Sequence, residues 1–230
     1  MRANPFILMI VFFLSVNPLL FSQSTKEKLD HVYGLSQNLY NGKIYEDFYN
    51  YEVIGHPFIK NKTYLNGSLS LRIASYNHVQ LNYDIYTQKV LLAFKTQNNA
   101  YRQIEIPLEH LLAFKIENQD FRNIKTENQS YKIFQVIGDG EHQIYIQWYK
   151  KLEVIRASSN YKYEFTNAKR TLFLHKDEHL IAIDRNKKLR KIFSKKQQIE
   201  LKKWMKSKHI KLRKANDNEL LILCQYLNLL

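Results

Sequence analysis

Cysteine is nearly absent from this chain: one residue, Cys224, stands among 230. A lone thiol closes no internal disulfide, so the fold must be held by its apolar core. Glycine and proline are scarce as well, at six and four residues, which removes the raw material of Gly-rich phosphate loops. No G-x-S-x-G elbow and no C-x-x-C pair occurs either, so the familiar routes to nucleotide cradling, serine hydrolysis and thiol redox chemistry have no signature here. Acidic residues are outnumbered, 21 Asp and Glu against 35 Lys and Arg, leaving a net charge of +14. Beyond Phe21 no apolar run approaches the ~20 residues that a spanning helix needs.

What is present begins with a leader. Arg2 and the free amine precede an apolar run from Phe6 to Val16, and Asn17-Pro18 ends it. This is the pattern of a cleavable signal peptide, and the predicted cut leaves Ser22 as the last residue removed and Gln23 as the first retained. An uncleaved anchor is the competing reading, and the break at Asn17-Pro18 argues against it. The organisation expected is a signal peptide over 1–22, an antiparallel β domain over 23–185 and a basic helical segment over 186–230 packed on that domain. No transmembrane span is expected after processing. Export without disulfides fits a bacterial envelope better than a eukaryotic secretory route, and the sequons at Asn61, Asn66 and Asn128 are expected by chance in so Asn-rich a chain.

From about residue 60 to 184 the apolar period is two, the mark of strands with one buried face. Leu69, Leu71 and Ile73 alternate with Ser68, Ser70 and Arg72; Val79, Leu81, Tyr83 and Ile85 alternate with Gln80, Asn82 and Asp84. Val90, Leu92 and Phe94 follow, then Ile104 and Ile106. The pair Asp139-Gly140 is expected to supply the positive φ angles of a tight hairpin between Tyr131–Ile137 and Gln143–Tyr149. A further hairpin is expected around Ala157–Asn160, and another around Lys176-Asp177-Glu178. The fold class predicted is mainly β, a β-rich α+β protein whose antiparallel meander forms a barrel-like or two-layer sheet with C-terminal helices docked on it. Parallel pairing is disfavoured, since no helix-length crossover separates the strands. A short helix is expected within Thr25–Tyr40.

After residue 186 the period becomes helical. Leu189, Ile192 and Phe193 make one stripe, and Ser194 to Gln197 has the form of a capping box ahead of Leu201, Trp204 and Met205. Asn216 to Glu219 can cap the last helix similarly, with Leu220, Leu221, Cys224, Leu227 and Leu230 as its apolar side.

The sharpest catalytic spelling is His175-Lys176-Asp177-Glu178-His179, which matches the H-x-x-E-H of a zinc peptidase. That chemistry needs a helix to bring both imidazoles to one metal, and the flanks here are strand-like, so the five residues are expected to span a turn. No metal site, cofactor or catalytic residue is assigned. Cys224, on the apolar side of a helix, reads as a core residue. Asp84, Glu105, Glu153 and Glu164 fall at outward strand positions and read as a solvated face. A stronger feature is the basic run: fourteen Lys and Arg between Arg185 and Lys214, opposed only by Glu200. Lys195, Lys196, Lys202, Lys203 and Lys206 form the predicted patch for an anionic partner, with Lys195, Lys202 and Lys206 on roughly one side of an amphipathic helix.

The ordered signposts Leu39–Lys43, Gly55-His56-Pro57-Phe58, Asn82–Tyr86 and Val136–Gly140, with the closing Lys-rich helices, resemble an uncharacterised family of exported proteins from Bacteroidota-type bacteria. The resemblance covers nearly all of the mature chain and lies in turns and strand edges, so it carries no activity and no functional residue. It implies a Gram-negative setting, in the periplasm or at the outer-membrane periphery. The function expected is a non-enzymatic binding or structural module for an envelope protein or an anionic polymer or lipid surface, with nucleic acid disfavoured as a partner. Two alternatives stay open. One is an envelope glycan or peptide hydrolase with a dispersed carboxylate or histidine site; the other is a carrier whose hollow barrel is lined by residues such as Phe94, Ile106 and Trp148.

Overall fold

A computed structural model describes residues 39, 42–46, 52–96, 99–126, 128–155 and 162–230. The predicted leader, its Ser22/Gln23 cut, the turn expected around Ala157–Asn160 and, apart from Leu39, the helix expected in 25–40 lie outside the described residues. The chain divides into two compact units, one of residues 42–94 and 101–230 and a small one of residues 1–41 and 95–100. In the small unit the described backbone forms a turn, with the Thr96 N–H donating to the Ala100 carbonyl at 2.9 Å.

The large unit is mainly β, as its alternating pattern predicts. Among the described residues eleven strands form one sheet. In chain order they are β1 (Lys43–Ile44), β3 (Leu65–Leu71), β4 (Ser75–Asp84), β5 (Lys89–Lys95), β6 (Tyr101–Ile106), β7 (Leu111–Ile116), β8 (Gln119–Lys125), β9 (Tyr131–Ile137), β10 (Gln143–Tyr149), β13 (Lys169–Lys176) and β14 (His179–Ala182). Their spatial order is β1-β6-β5-β4-β3-β7-β8-β9-β10-β13-β14. A small second sheet joins β11 (Leu152–Val154), β12 (Tyr163–Phe165) and β2 (Val53–Ile54). The β12–β2 pair is parallel, Tyr163 opposite Val53, which corrects the expectation of antiparallel pairing throughout. Its crossover is the large sheet itself.

The sheet must roll. Strands lie ~4.8 Å apart, so a flat sheet would place β6 and β7, four spacings apart, about 19 Å from each other. Only residues 107–110 join them, and they are folded into a turn. The same curl brings the β4–β5 turn to β10, five strands away in the order: Gln88 Nε2 donates to the Trp148 carbonyl at 2.9 Å.

One cross-strand row summarises the buried face. Leu69, Phe114, Phe121, Gln135, Ile146 and Leu172 are successive register partners. All six are buried and only Gln135 is polar. Tyr83 packs edge-on against both Phe114 and Phe121, which stack on each other at 4.6 Å.

Three helices cover this face over β9, β10 and β13: α1 (Asn186–Arg190), α2 (Lys195–Ser207) and α3 (Asp217–Leu227). Both predicted capping boxes form, Ser194 with Gln197 and Asn216 with Glu219. Gln197 Nε2 donates to the Leu230 carbonyl at 2.9 Å, so the start of α2 meets the end of α3 and the two are antiparallel. Leu201 and Met205 of α2, and Leu220, Leu223, Cys224 and Leu227 of α3, enter the core with Ile144, Ile146, Leu172 and Leu174. Leu223 takes the inward place expected of Leu221, because the buried stripe follows i, i+3, i+4, i+7 from Leu220, and Leu221 is left exposed.

Two other expectations need correction. Ile73 lies in the turn after β3 and is 68% exposed, because strand alternation stops at Leu71. The β9–β10 loop takes its positive φ angles from Gly138 and Gly140 and not from an Asp139-Gly140 pair. Asn228, at the end of α3, holds that loop: its side-chain amide donates to the Asp139 carbonyl at 2.7 Å and accepts the His142 N–H at 2.7 Å.

Candidate cationic site on the helical cap

All five lysines of the predicted patch are on α2 and all are exposed. The helix divides them. Helical spacing sets Lys195, Lys202 and Lys206 along one flank beside the buried Met205, and Lys196 and Lys203 on the side opposite the core.

Lys202 and Lys206 line a cleft of about 580 Å³ with Arg190, His209, Lys211 and Lys214. Its floor includes Met205, Ile210 and Ala215. Lys195, Lys196 and Lys203 lie outside the cleft. Among the described residues, none of these lysines, nor Arg190, makes an ion pair; those that form involve Lys60, Lys89, Lys115, Lys162 and Arg185. Glu219 is the one acid lining the cleft, and its carboxylate accepts the Asn216 N–H at 2.8 Å in the capping box.

Helix endings build the cleft wall. At the end of α2 the Ile210 N–H donates to the Met205 carbonyl at 3.0 Å and the His209 N–H to the Lys206 carbonyl at 3.2 Å. This is the Schellman closure, and its left-handed position is normally glycine. Here it is His209, at φ 56°. Asn186 fixes the following loop, its Nδ2 donating to the Ile210 carbonyl at 2.8 Å and its Oδ1 accepting the Leu212 N–H at 3.0 Å. Arg170 of β13, its guanidinium 5.8 Å from the Trp148 ring centre, also donates to the Leu212 and Ala215 carbonyls. The spread of Lys and Arg through 185–214 announces the cleft. His209 escapes that reading, since nothing in a Lys-His-Ile triplet marks a helix end by itself.

The cap is tied to the sheet through the one polar member of the buried row. Gln135 Nε2 donates to Asp217 Oδ2 at 2.7 Å, and Gln135 Oε1 accepts the Trp148 indole N–H at 2.7 Å. Gln119 Nε2 reaches the same Asp217 oxygen at 3.3 Å.

The remaining chemical candidates resolve into structural roles. His175 to His179 spans the β13–β14 hairpin, with Lys176 opposite His179 and both Asp177 and Glu178 at positive φ. The pair of turn residues is type I′, the opposite of the helix that the peptidase motif requires. Trp148 binds Gln135 and Ile106 is buried in the core. Cys224 is fully buried, its Sγ lies 3.3 Å from the Ile137 carbonyl, and burial pushes the thiol up to about 12.

Asp84 departs from its expected outward place: it is fully buried. Residues 57–59 pair with the end of β4 and cover it, through Ile59 N–H to Tyr83 O and Ile85 N–H to Pro57 O. Its oxygens clamp the β4–β5 turn, accepting the Tyr86 and Thr87 N–H groups at 2.8 Å and the Thr87 hydroxyl at 2.6 Å. Burial, opposed by these hydrogen bonds, leaves its carboxyl above the ordinary value. Near it Lys150 Nζ donates to the His56 carbonyl at 2.8 Å, and burial lowers the pKa of both Lys150 and His56. With its lone pairs committed to turn donors, Asp84 is a structural clamp. Of the other three carboxylates, Glu105 binds Lys89 at 2.7 Å, and Glu153 and Glu164 are exposed and face each other across β11 and β12.

Among the described residues no helix is long and apolar enough to cross a membrane. No family model, curated protein or solved structure matches this chain.

Proposed function

We propose that this chain is an exported envelope module, without enzymatic activity, that holds an anionic partner on its C-terminal helical cap. The observation that carries the reading is the cationic cleft between α1, α2 and the loop into α3, whose lysines and arginine form no ion pair among the described residues. Cations kept this close repel one another, and an arriving anion relieves that repulsion while releasing their counterions. Export rests on the leader pattern, and a Gram-negative periplasm or outer-membrane periphery on the family resemblance.

The test is calorimetric titration with linear polyphosphate as a generic polyanion, over a range of salt. Lys202→Glu/Lys206→Glu is compared with Lys125→Glu/Lys132→Glu, which makes the same charge change at a groove on the sheet. The reading expects binding that weakens with salt and a loss of roughly tenfold or more, at ~1 kcal/mol per charge contact, for the cap variant alone. Equal losses in both variants would assign the effect to the overall charge and overturn it.

A further inference from the structure

The α2–α3 hairpin has an outward surface that neither the core nor the cleft uses. On α2 it carries Lys196 and Lys203, with Lys195, Lys206 and Ile199 beside them; Ile199 is 59% exposed. On α3 it carries Ile222, 45% exposed, and just past the helix Leu229, 84% exposed. Between the two helices Trp204 and Tyr226 are half-buried and stacked, their ring centres 4.1 Å apart and their planes within 7°. Glu200 is the one acid on this side of α2. Exposed aliphatic side chains around a Trp–Tyr pair, bordered by lysines that form no ion pair among the described residues, form the chemical profile of the boundary between lipid headgroups and acyl chains. A soluble polyanion offers nothing to Ile199, Ile222 and Leu229, whereas a bilayer satisfies them and the lysines together.

We propose that this surface lies on an anionic lipid bilayer, the three aliphatic side chains entering the acyl boundary and the lysines resting among the headgroups. This rests on the reading of the cap as an anion-binding element and names its partner. The cleft opens on the Lys202–Lys206 flank of the same helix, so a headgroup phosphate can occupy it while the hairpin lies flat.

The experiment is partitioning of the full chain, processed as the cell processes it, onto phosphatidylglycerol vesicles and phosphatidylcholine vesicles, with polyphosphate titration in parallel. Binding to phosphatidylglycerol is expected to exceed binding to phosphatidylcholine, and each lysine removed, as in Lys196→Gln or Lys203→Gln, lowers it roughly fivefold. The triple variant Ile199→Ser/Ile222→Ser/Leu229→Ser loses at least tenfold on vesicles, while its polyphosphate affinity stays within twofold of the parent, which also shows that it folds. Brominated acyl chains quench the fluorescence that differs between the parent and Trp204→Phe. Unchanged partitioning of the triple variant, or an unquenched Trp204, overturns the bilayer proposal and leaves the anion-binding cap standing. Failure to bind either polyphosphate or vesicles removes both.

Discussion

Replacing Gln135 by Met tests how the helical cap is held. The side chain is nearly the same size, so the row Phe121–Gln135–Ile146 stays filled, but both of its hydrogen bonds are lost. The Trp148 indole N–H, now 2.7 Å from the Gln135 oxygen, is left without its acceptor. A donor left unpaired against the buried Gln135 position costs about 1–3 kcal/mol, less to the extent that water reaches the half-buried Trp148. The bond to Asp217 has a charged acceptor, ordinarily worth about 1.5–3 kcal/mol, but Asp217 is half-exposed and water replaces part of it. The expected loss is therefore about 2–4 kcal/mol, a large fraction of a domain's net stability. Urea unfolding followed by tryptophan fluorescence and circular dichroism gives the value. Gln119→Met, which removes only the longer 3.3 Å contact, is expected to cost less than about 1 kcal/mol. The slope of the transition should stay unchanged, because cap and sheet share one core and unfold together. A Gln135→Met loss no larger than that of Gln119→Met would refute the reasoning.

Three further outcomes follow from particular residues. His209→Gly removes a side chain from a left-handed position and should stabilise the protein by about 1 kcal/mol, raising Tm by roughly 2–4 °C in a thermal melt; a lower Tm would show that the imidazole is held by something stronger than the strain. Asp84→Asn tests the sign of a pH dependence. The folded carboxyl holds its proton above the ordinary range, so its contribution is full below ~pH 4 and is lost as pH rises through the folded pKa. Relative to the parent, Asp84→Asn should therefore gain stability from pH 4 to 7 in urea titrations, and the opposite trend would contradict the burial argument. Gly138→Ala should cost about 2–4 kcal/mol, because a Cβ there meets the Cys224 Cβ at 2.7 Å on a backbone at φ 83°. Gly140→Ala has the same φ but its Cβ meets the Asn228 amide at 2.9 Å, a looser approach than at Cys224, so its urea midpoint should fall less.

What the sequence discloses is what local periodicity controls. Alternation in Leu69-Ser70-Leu71 and Ile104-Glu105-Ile106, and the capping boxes at Ser194 and Asn216, name strands and helix starts, because each depends on residues a few positions apart. The parallel β2–β12 pair depends on chain returning after more than a hundred residues, and no local pattern encodes that. Asp84 shows the same limit from inside a strand: its alternation points outward, and only the return of residues 57–59 covers it. The Asp-Thr spacing from Asp84 to Thr87 does announce a clamped turn, a signal weaker than the alternation around it. For the site, the density of lysine and arginine is visible along the chain. Which of them share a cleft is not, because Arg190 and Lys214 join Lys202 only through the Schellman turn at His209 and the Asn186 clamp. The division of α3 into a buried side and the exposed Leu221 and Ile222 likewise becomes definite only when β9 and β10 supply the surface that Leu220, Leu223 and Cys224 cover.

The most direct test of the cap as the binding surface is lysine footprinting: acetylation of the protein with and without anionic vesicles, read by mass spectrometry at each lysine. The account predicts that Lys195, Lys196, Lys202, Lys203 and Lys206 lose reactivity together when vesicles are present, while Lys125 and Lys132 on the sheet groove keep theirs. Protection at Lys125 and Lys132 with the α2 lysines unchanged would contradict it.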